Sequence, residues 1–387
     1  VDAETLNALL STIRRFVKER LVPNEKRLEE EDRIPDEIRE EMRALGLFGM
    51  STPNEYGGLG LTTEEEVRVN FELAQTSLAF RSLIATNNGI GSQAILLDGT
   101  EDQRRTYLPK LASGELIGSF ALTEPEAGSD AGSLRTTAKK DGDHYVLEGT
   151  KRFITNAPEA GLFTVLARTG TQEAGPAGIS CFLVEAGTTG IKLGALDKKM
   201  GQRGAHTSDV VFEECRIPAA WLIGGPKMEH QGFKTAMKVL DRGRLTMAAT
   251  AVAVAERLIQ ESVRYAASRV QFGRPIGEFQ LIQAMLADSR TEAYAARAMV
   301  IDAAQKRDRK EPVSVESSCA KYFATEMVGR VADRAVQIFG GAGYIADYGI
   351  ERFFRDVRLM RLYEGTSQIQ QLIIARAMLK EENQRAR

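Results

Sequence analysis

One glutamate lies in a turn between two helical patterns, in Arg361-Leu362-Tyr363-Glu364-Gly365-Thr366-Ser367-Gln368, and is the side chain best placed to move a proton. Periodicity stops and restarts there within about four residues, so Glu364 precedes a helix that Thr366 can cap. A carboxylate in such a turn is free to point into a cavity, where burial would raise its pKa towards that of a working base. Glu364 can equally do no more than favour the N-terminus of the next helix through its dipole.

Two further segments have ligand chemistry. Leu122-Thr123-Glu124-Pro125-Glu126-Ala127-Gly128-Ser129-Asp130 is rich in small and hydroxyl residues and offers backbone N–H groups to an electron-rich ligand, an isoalloxazine edge or a pyrophosphate; a plain connection between strands reads the same way. Ser129 lacks the second glycine of a G-x-S-x-G elbow, which weakens a serine hydrolase. In Lys151-Arg152-Phe153-Ile154-Thr155-Asn156, which follows a strand, alternation puts Phe153 and Thr155 on one face, where an aromatic and a hydroxyl suit a flavin ring or a packed core equally. Gly341-Ala342-Gly343-Tyr344-Ile345-Ala346 matches G-x-G-x-x-A, but it follows a helical pattern rather than a strand, so a Rossmann reading fails on context.

The elements that must position these residues fall into three textures. Apolar residues recur at helical spacing up to about Gly118, with Thr62 or Thr63 capping a helix that opens on Glu64-Glu65-Glu66. Short strand-like runs follow at Thr136 to Lys139, His144 to Leu147, Leu162 to Ala167, Ile179 to Val184 and Asp209 to Phe212. Long helical windows return from Gln231, broken at Phe272 to Pro275, at Pro312 and at Gly340 to Gly343. This order is not the βαβ alternation of a doubly wound sheet and predicts an α+β fold.

Composition removes several classes of function. With 51 Lys and Arg against 53 Asp and Glu in 387 residues, the chain has no electrostatic case for a nucleic-acid or polybasic membrane partner. Leu245 to Ala255, the most apolar helical stretch, is well short of the ~20 residues that cross a bilayer. Three scattered histidines make a histidine metal site improbable, so no metal is expected, and three unspaced cysteines point to a reducing compartment. That compartment is the cytoplasm or, because the chain opens on Val1, the mitochondrial matrix after removal of a targeting peptide.

In this order and over essentially the whole chain, Ala121 to Asp130, Phe153-Ile154-Thr155-Asn156, Gln337-Ile338-Phe339-Gly340-Gly341 and Tyr363-Glu364-Gly365-Thr366 resemble the acyl-CoA dehydrogenase family of flavoenzymes. The resemblance implies an N-terminal α-helical domain (1–118), a middle β-barrel-like domain (119–225) and a C-terminal four-helix-bundle domain (226–387), assembled as a homotetramer, a dimer of dimers. It implies an extended FAD that reaches a neighbouring subunit. Phe120, Leu122, Thr123, Ser129, Phe153 and Thr155 would touch its flavin half, with Thr366 and Gln368 nearby. Arg269, Phe272, Gln280, Gln337 and Gly341 would meet the pyrophosphate and adenosine, mostly from the partner chain.

By the same resemblance Glu364 is the catalytic base, and its backbone N–H and a ribityl hydroxyl polarise the thioester carbonyl. Isovaleryl and long-chain relatives carry the base at the position of Gly243, where glycine supports Glu364. Asp241, Arg244, Ser129 and Gly365 would line the acyl-CoA path. The implied function is FAD-dependent α,β-dehydrogenation of an acyl-CoA, as in the β-oxidation of fatty acids, with electrons passed to an electron-transfer flavoprotein.

Ala79-Phe80-Arg81-Ser82 is similar to the glutaryl-CoA dehydrogenase segment whose arginine holds the distal carboxylate of the substrate. The match departs from that type at Ala74 and Ala85, and Arg81 can instead face solvent or pair with Glu72. The alternatives are therefore a dehydrogenase of dicarboxylyl or otherwise anionic acyl-CoA, or a flavin oxidase or monooxygenase of the same fold. An oxidase would not need the base, and neither would a desulfinase. A flavin-bearing nucleic-acid-binding protein of this fold is disfavoured by the balanced charge.

Overall fold

The computed structural model describes residues 1–385, so the last two residues of the expected third domain lie outside the described residues. Seven helices come first: α1 (Ala3–Phe16), α2 (Glu25–Glu31), α3 (Asp36–Ala44), α4 (Thr63–Leu73), α5 (Leu78–Asn88), α6 (Gln93–Asp98) and α7 (Glu101–Ala112). Thr62, not Thr63, is the N-cap of α4: it accepts from the Glu65 N–H while the Glu65 carboxylate accepts from the Thr62 N–H. Leu78, Ala79, Phe80, Leu83 and Ile84 make most of α5 a buried helix, yet Arg81 sits among them.

Seven strands follow: β1 (Gly118–Ala121), β2 (Thr137–Asp141), β3 (His144–Thr155), β4 (Leu162–Arg168), β5 (Ile179–Glu185), β6 (Ile191–Leu193) and β7 (Thr207–Pro218). They form one sheet in the order β1-β4-β2-β3-β7-β6, with β5 on β4. The Lys151 to Thr155 segment lies inside β3, not after it, because β3 and β7 pair along 12 residues each rather than over the short apolar runs alone. A bulge between Lys151 and Ile154 puts Phe153 at φ 58°, so simple alternation breaks there. Around it Phe153 is exposed, Ile154 buried and Thr155 half-buried, so Phe153 and Thr155 do not share one environment.

The C-terminal region contains α8 (Gly232–Ser268), a short hairpin of β8 (Val270–Gln271) and β9 (Arg274–Pro275), then α9 (Gln280–Asp308), α10 (Ser314–Phe339), α11 (Ile350–Val357) and α12 (Ser367–Arg385). Its core is built from small side chains: Ala248, Val252 and Ala255 of α8 meet Ala296 of α9 and Ala324 and Val328 of α10. Small residues let helix axes approach closely, so side chains at the edges of the bundle are held firmly. A second cluster joins all three regions, with Leu111 of α7, Phe120 of β1, Leu162 of β4 and Val239 of α8 in contact. That cluster fixes the sheet against α8, whose middle carries Gly243.

Candidate active site

The turn that carries Glu364 is made by local chemistry. A tight helical turn ends at Arg361, and the Leu362 and Tyr363 N–H groups both donate to the Leu359 carbonyl. Glu364 then takes φ 55° and Gly365 φ 83°. Glycine is favoured at 365 by its φ of 83°, a backbone conformation that side-chain-bearing residues strain to adopt. The Gln370 amide donates to the carbonyls of Glu364 and Gly365 at 3.2 and 3.1 Å, and Lys321 Nζ donates to the Gly365 carbonyl at 2.6 Å. Thr366 caps α12, its hydroxyl accepting from the Ile369 N–H.

The Glu364 side chain enters a cavity of about 60 Å³, lined also by Arg81, Thr155, Gln202, Gly243 and Thr246. Its Oε2 has no hydrogen-bond partner among the described residues. Gly243 makes the room: a Cβ there would lie 2.5 Å from that oxygen. Burial raises the Glu364 pKa above the ordinary carboxylate range, and Arg81, Lys321 and Arg244 pull it back. The Glu364 N–H donates to no acceptor among the described residues. The site thus combines a buried carboxylate of heightened basicity with an adjacent open amide donor.

Arg81 faces this cavity and not Glu72, whose carboxylate is taken by Arg14 at 3.0 and 2.7 Å. Among the described residues its guanidinium makes no hydrogen bond or ion pair. Burial lowers its pKa, opposed by Tyr363, Glu364 and Glu66. Arg244 is not a surface ion pair: it is 5 % exposed and bonds Asp241 one turn back on α8, leaving its Nε without a partner. Gln202 was missed by sequence reasoning; its N–H donates to Asp356, whose carboxyl burial pushes up to about 6.

The residues assigned to the flavin half come from β1, the loop after it and the end of β3. Phe120 and Leu122 are largely buried in the apolar cluster that joins the three regions, whereas Phe153 stands 59 % exposed with the Arg152 guanidinium 4.6 Å from its ring centre. The Thr123 carbonyl accepts from the Arg152 N–H at 2.8 Å, and Thr155 reaches the Glu364 cavity. Beneath them is a buried ion pair that motif reading also missed. Lys151 Nζ meets Glu124 Oε1 at 2.7 Å and the Leu122 carbonyl at 3.2 Å, while Glu124 accepts the Arg135 and Thr136 N–H groups. Burial lowers the Lys151 pKa to about 8. Ser129 and Gln368 are exposed and line no part of the Glu364 cavity.

Arg269, Phe272, Gln280 and Gly341 come together elsewhere, along a groove of about 1080 Å³ between the hairpin and the end of α10. Gln337 is exposed and lies just outside its lining. Among the described residues none lines both this groove and the Glu364 cavity. The groove's chemistry fits a dinucleotide: Arg269 has no ion-pair partner among the described residues, and Phe272, 94 % exposed at φ 51°, presents an uncovered aromatic ring.

Comparison with known proteins identifies the family. Models of the acyl-CoA dehydrogenase N-terminal, middle and C-terminal domains match residues 3–115, 119–215 and 230–379. The chain belongs to the acyl-CoA dehydrogenase family and is an oxidoreductase acting on the CH–CH group of acyl-CoA, a family that implies a flavin cofactor. It is 42 % identical to acryloyl-CoA reductase (NADH) of Anaerotignum propionicum, over 95 % of this chain and 92 % of that one. Butyryl-CoA dehydrogenase of Megasphaera elsdenii superposes with TM-score 0.93 at 34 % identity, covering 98 % of this chain and 99 % of that one. Glutaryl-CoA dehydrogenase of Mycobacterium smegmatis gives TM-score 0.91 at 31 % identity, with 98 % and 95 % covered.

Proposed function

We propose that the chain catalyses FAD-dependent α,β-dehydrogenation of an acyl-CoA thioester to the trans-2-enoyl-CoA, with Glu364 as the base and an electron-transfer flavoprotein as the acceptor. The observation that carries this reading is the unpartnered Glu364 Oε2, buried in a cavity it shares with Thr155. Phe153, Thr155 and, in a neighbouring subunit, the Arg269 groove would hold FAD, which would supply the two-electron acceptor for the β-hydrogen. Glu364 takes the α-proton, and the Cα–H electron pair becomes the new double bond. Its own N–H donates to the thioester carbonyl and stabilises enolate character as the proton departs. Burial of the carboxylate keeps it basic. By microscopic reversibility Glu364 also returns the proton in the reductive direction, the one named for the Anaerotignum relative, so the redox partner sets the direction.

Arg81 favours a second, narrower reading of the substrate. A guanidinium with no hydrogen bond or ion pair among the described residues, facing the Glu364 cavity, calls for an anion, and an acyl group with a distal carboxylate or equivalent supplies one. The glutaryl-CoA dehydrogenase likeness supports it, whereas the butyryl-CoA dehydrogenase likeness supports a plain short chain. Glu364 disfavours a monooxygenase, which would leave the base unused. Bacterial relatives support a cytoplasmic enzyme.

Anaerobic titration with straight, branched and dicarboxylyl acyl-CoAs, following loss of oxidised flavin absorbance, tests both readings. Bleaching is expected in wild type and is expected to fall at least 10³-fold in rate in Glu364→Gln, on the order of a lost general base. Preference for glutaryl- or succinyl-like thioesters that disappears in Arg81→Met supports the anionic substrate; the same preference in both proteins rejects it. No bleaching by any thioester rejects the reaction itself.

A further inference from the structure

Lys321 is a buried cation that the mechanism above does not use. It lies on the face of α10 that carries Ala324, Val328 and Ala335, and it is 0 % exposed. Its one hydrogen-bond acceptor among the described residues is the Gly365 carbonyl, at 2.6 Å. Burying an ammonium for one neutral carbonyl is unfavourable unless a charge compensates. The anions that act on it are Glu364, across the turn, and Glu326 on α10 itself; Arg244 from α8 opposes. Glu326 is already engaged by Ser367 at 2.6 Å and Arg361 at 3.3 Å, which leaves Glu364 as the uncommitted partner.

The backbone needs the same support. Glu364 and Gly365 are consecutive residues at positive φ, and a glutamate in that region persists only where its surroundings hold it. Gln370 binds both carbonyls of the turn and Lys321 the second. We infer that Lys321 is a positioning residue for Glu364: its ammonium pins the Gly365 carbonyl and so the turn, and its charge keeps the Glu364 carboxyl ionised inside the cavity. The inference rests on the proposed role of Glu364 as base for its catalytic meaning, but its electrostatic content stands apart from turnover.

Burial lowers the Lys321 pKa to about 8, so it remains mostly charged at neutral pH, where the reaction needs Glu364 as the anion. Arg81 from α5 and Arg244 from α8 also face Glu364 and act in the same sense, so removing Lys321 should weaken its ionisation rather than abolish it.

The test is an infrared titration of the Glu364 carboxylic-acid band in the holoenzyme, assigned by its loss in Glu364→Gln, in wild type, Lys321→Met, Lys321→Gln and Lys321→Arg. In Lys321→Met the midpoint should move up by about one pH unit or more, the scale of a lost neighbouring charge. The acid limb of kcat should move up with it, with KM within about twofold. Lys321→Gln keeps a donor for the Gly365 carbonyl without the charge and carries the test where Lys321→Met does not fold. It should show the titration shift, and Lys321→Arg should reverse most of it. An unshifted carboxyl titration in the folded uncharged variants overturns the inference. Full activity in Glu364→Gln would overturn the base assignment instead, and the infrared result would still report whether Lys321 acts on Glu364.

Discussion

Glu364 owes its position to a glycine on another helix as much as to its own turn. Glycine in the interior of α8 costs about 1 kcal/mol of helix stability, and at 243 the missing Cβ leaves the space that Glu364 Oε2 occupies. Gly243→Ala should therefore leave the thermal midpoint unchanged or slightly higher while pushing the carboxylate aside. A displacement on that scale should lower kcat roughly tenfold with flavin content intact, read by steady-state kinetics and flavin absorbance. Wild-type kcat should also lose activity on acidification at a pH above the ordinary carboxylate value, because burial raises the Glu364 pKa and only the anion accepts the proton. Glu364 was legible in the sequence because turn punctuation is local. The open guanidinium of Arg81 was not, since it depends on Glu72 being taken by Arg14, 58 residues away.

At the scale of elements, the loop 122–130 is held from inside the sheet. Lys151 is 0 % exposed and Glu124 6 %, and between them they tie the end of β1 to the middle of β3. Removing one partner of such a pair leaves the other charge buried and uncompensated. Lys151→Met should therefore lower unfolding stability by about 3 kcal/mol and loosen retained flavin, measured by urea denaturation and flavin release; adding Glu124→Gln should recover part of the loss. No spacing argument exposes this pair, because a lysine in a strand ordinarily faces water. The helices of the first and third regions were legible from their apolar spacing, and their breaks fall where Gly and Pro cluster. The sheet was legible where a short apolar or alternating run falls between turns, β2 included. β6, with the pattern Ile-Lys-Leu and little burial, gives almost no signal of its own and exists because β7 offers it an edge.

At the scale of the whole molecule, the residues expected to hold one FAD form two sets that share no cavity. Thr155 stands with Glu364, whereas Arg269, Phe272 and Gln280 line the groove beyond the hairpin, with Phe272 94 % exposed. If one FAD spans both sets by way of a neighbouring subunit, each active site takes its base from one chain and its pyrophosphate counter-charge from another. Two defective variants then complement each other. In a dimer of Arg269→Ala with Glu364→Gln, one site combines the intact Glu364 of the first chain with the intact Arg269 of the second, and the other site carries both lesions. Random 1:1 reassociation of the unfolded variants should thus restore about one site in four, since half of the dimers are mixed and each holds one intact site. The readout is acyl-CoA-dependent flavin bleaching after co-refolding, against each variant refolded alone. Activity no higher than the mean of the two parents would mean that both halves of the cofactor are held within a single chain, and the groove at Arg269 would need another ligand.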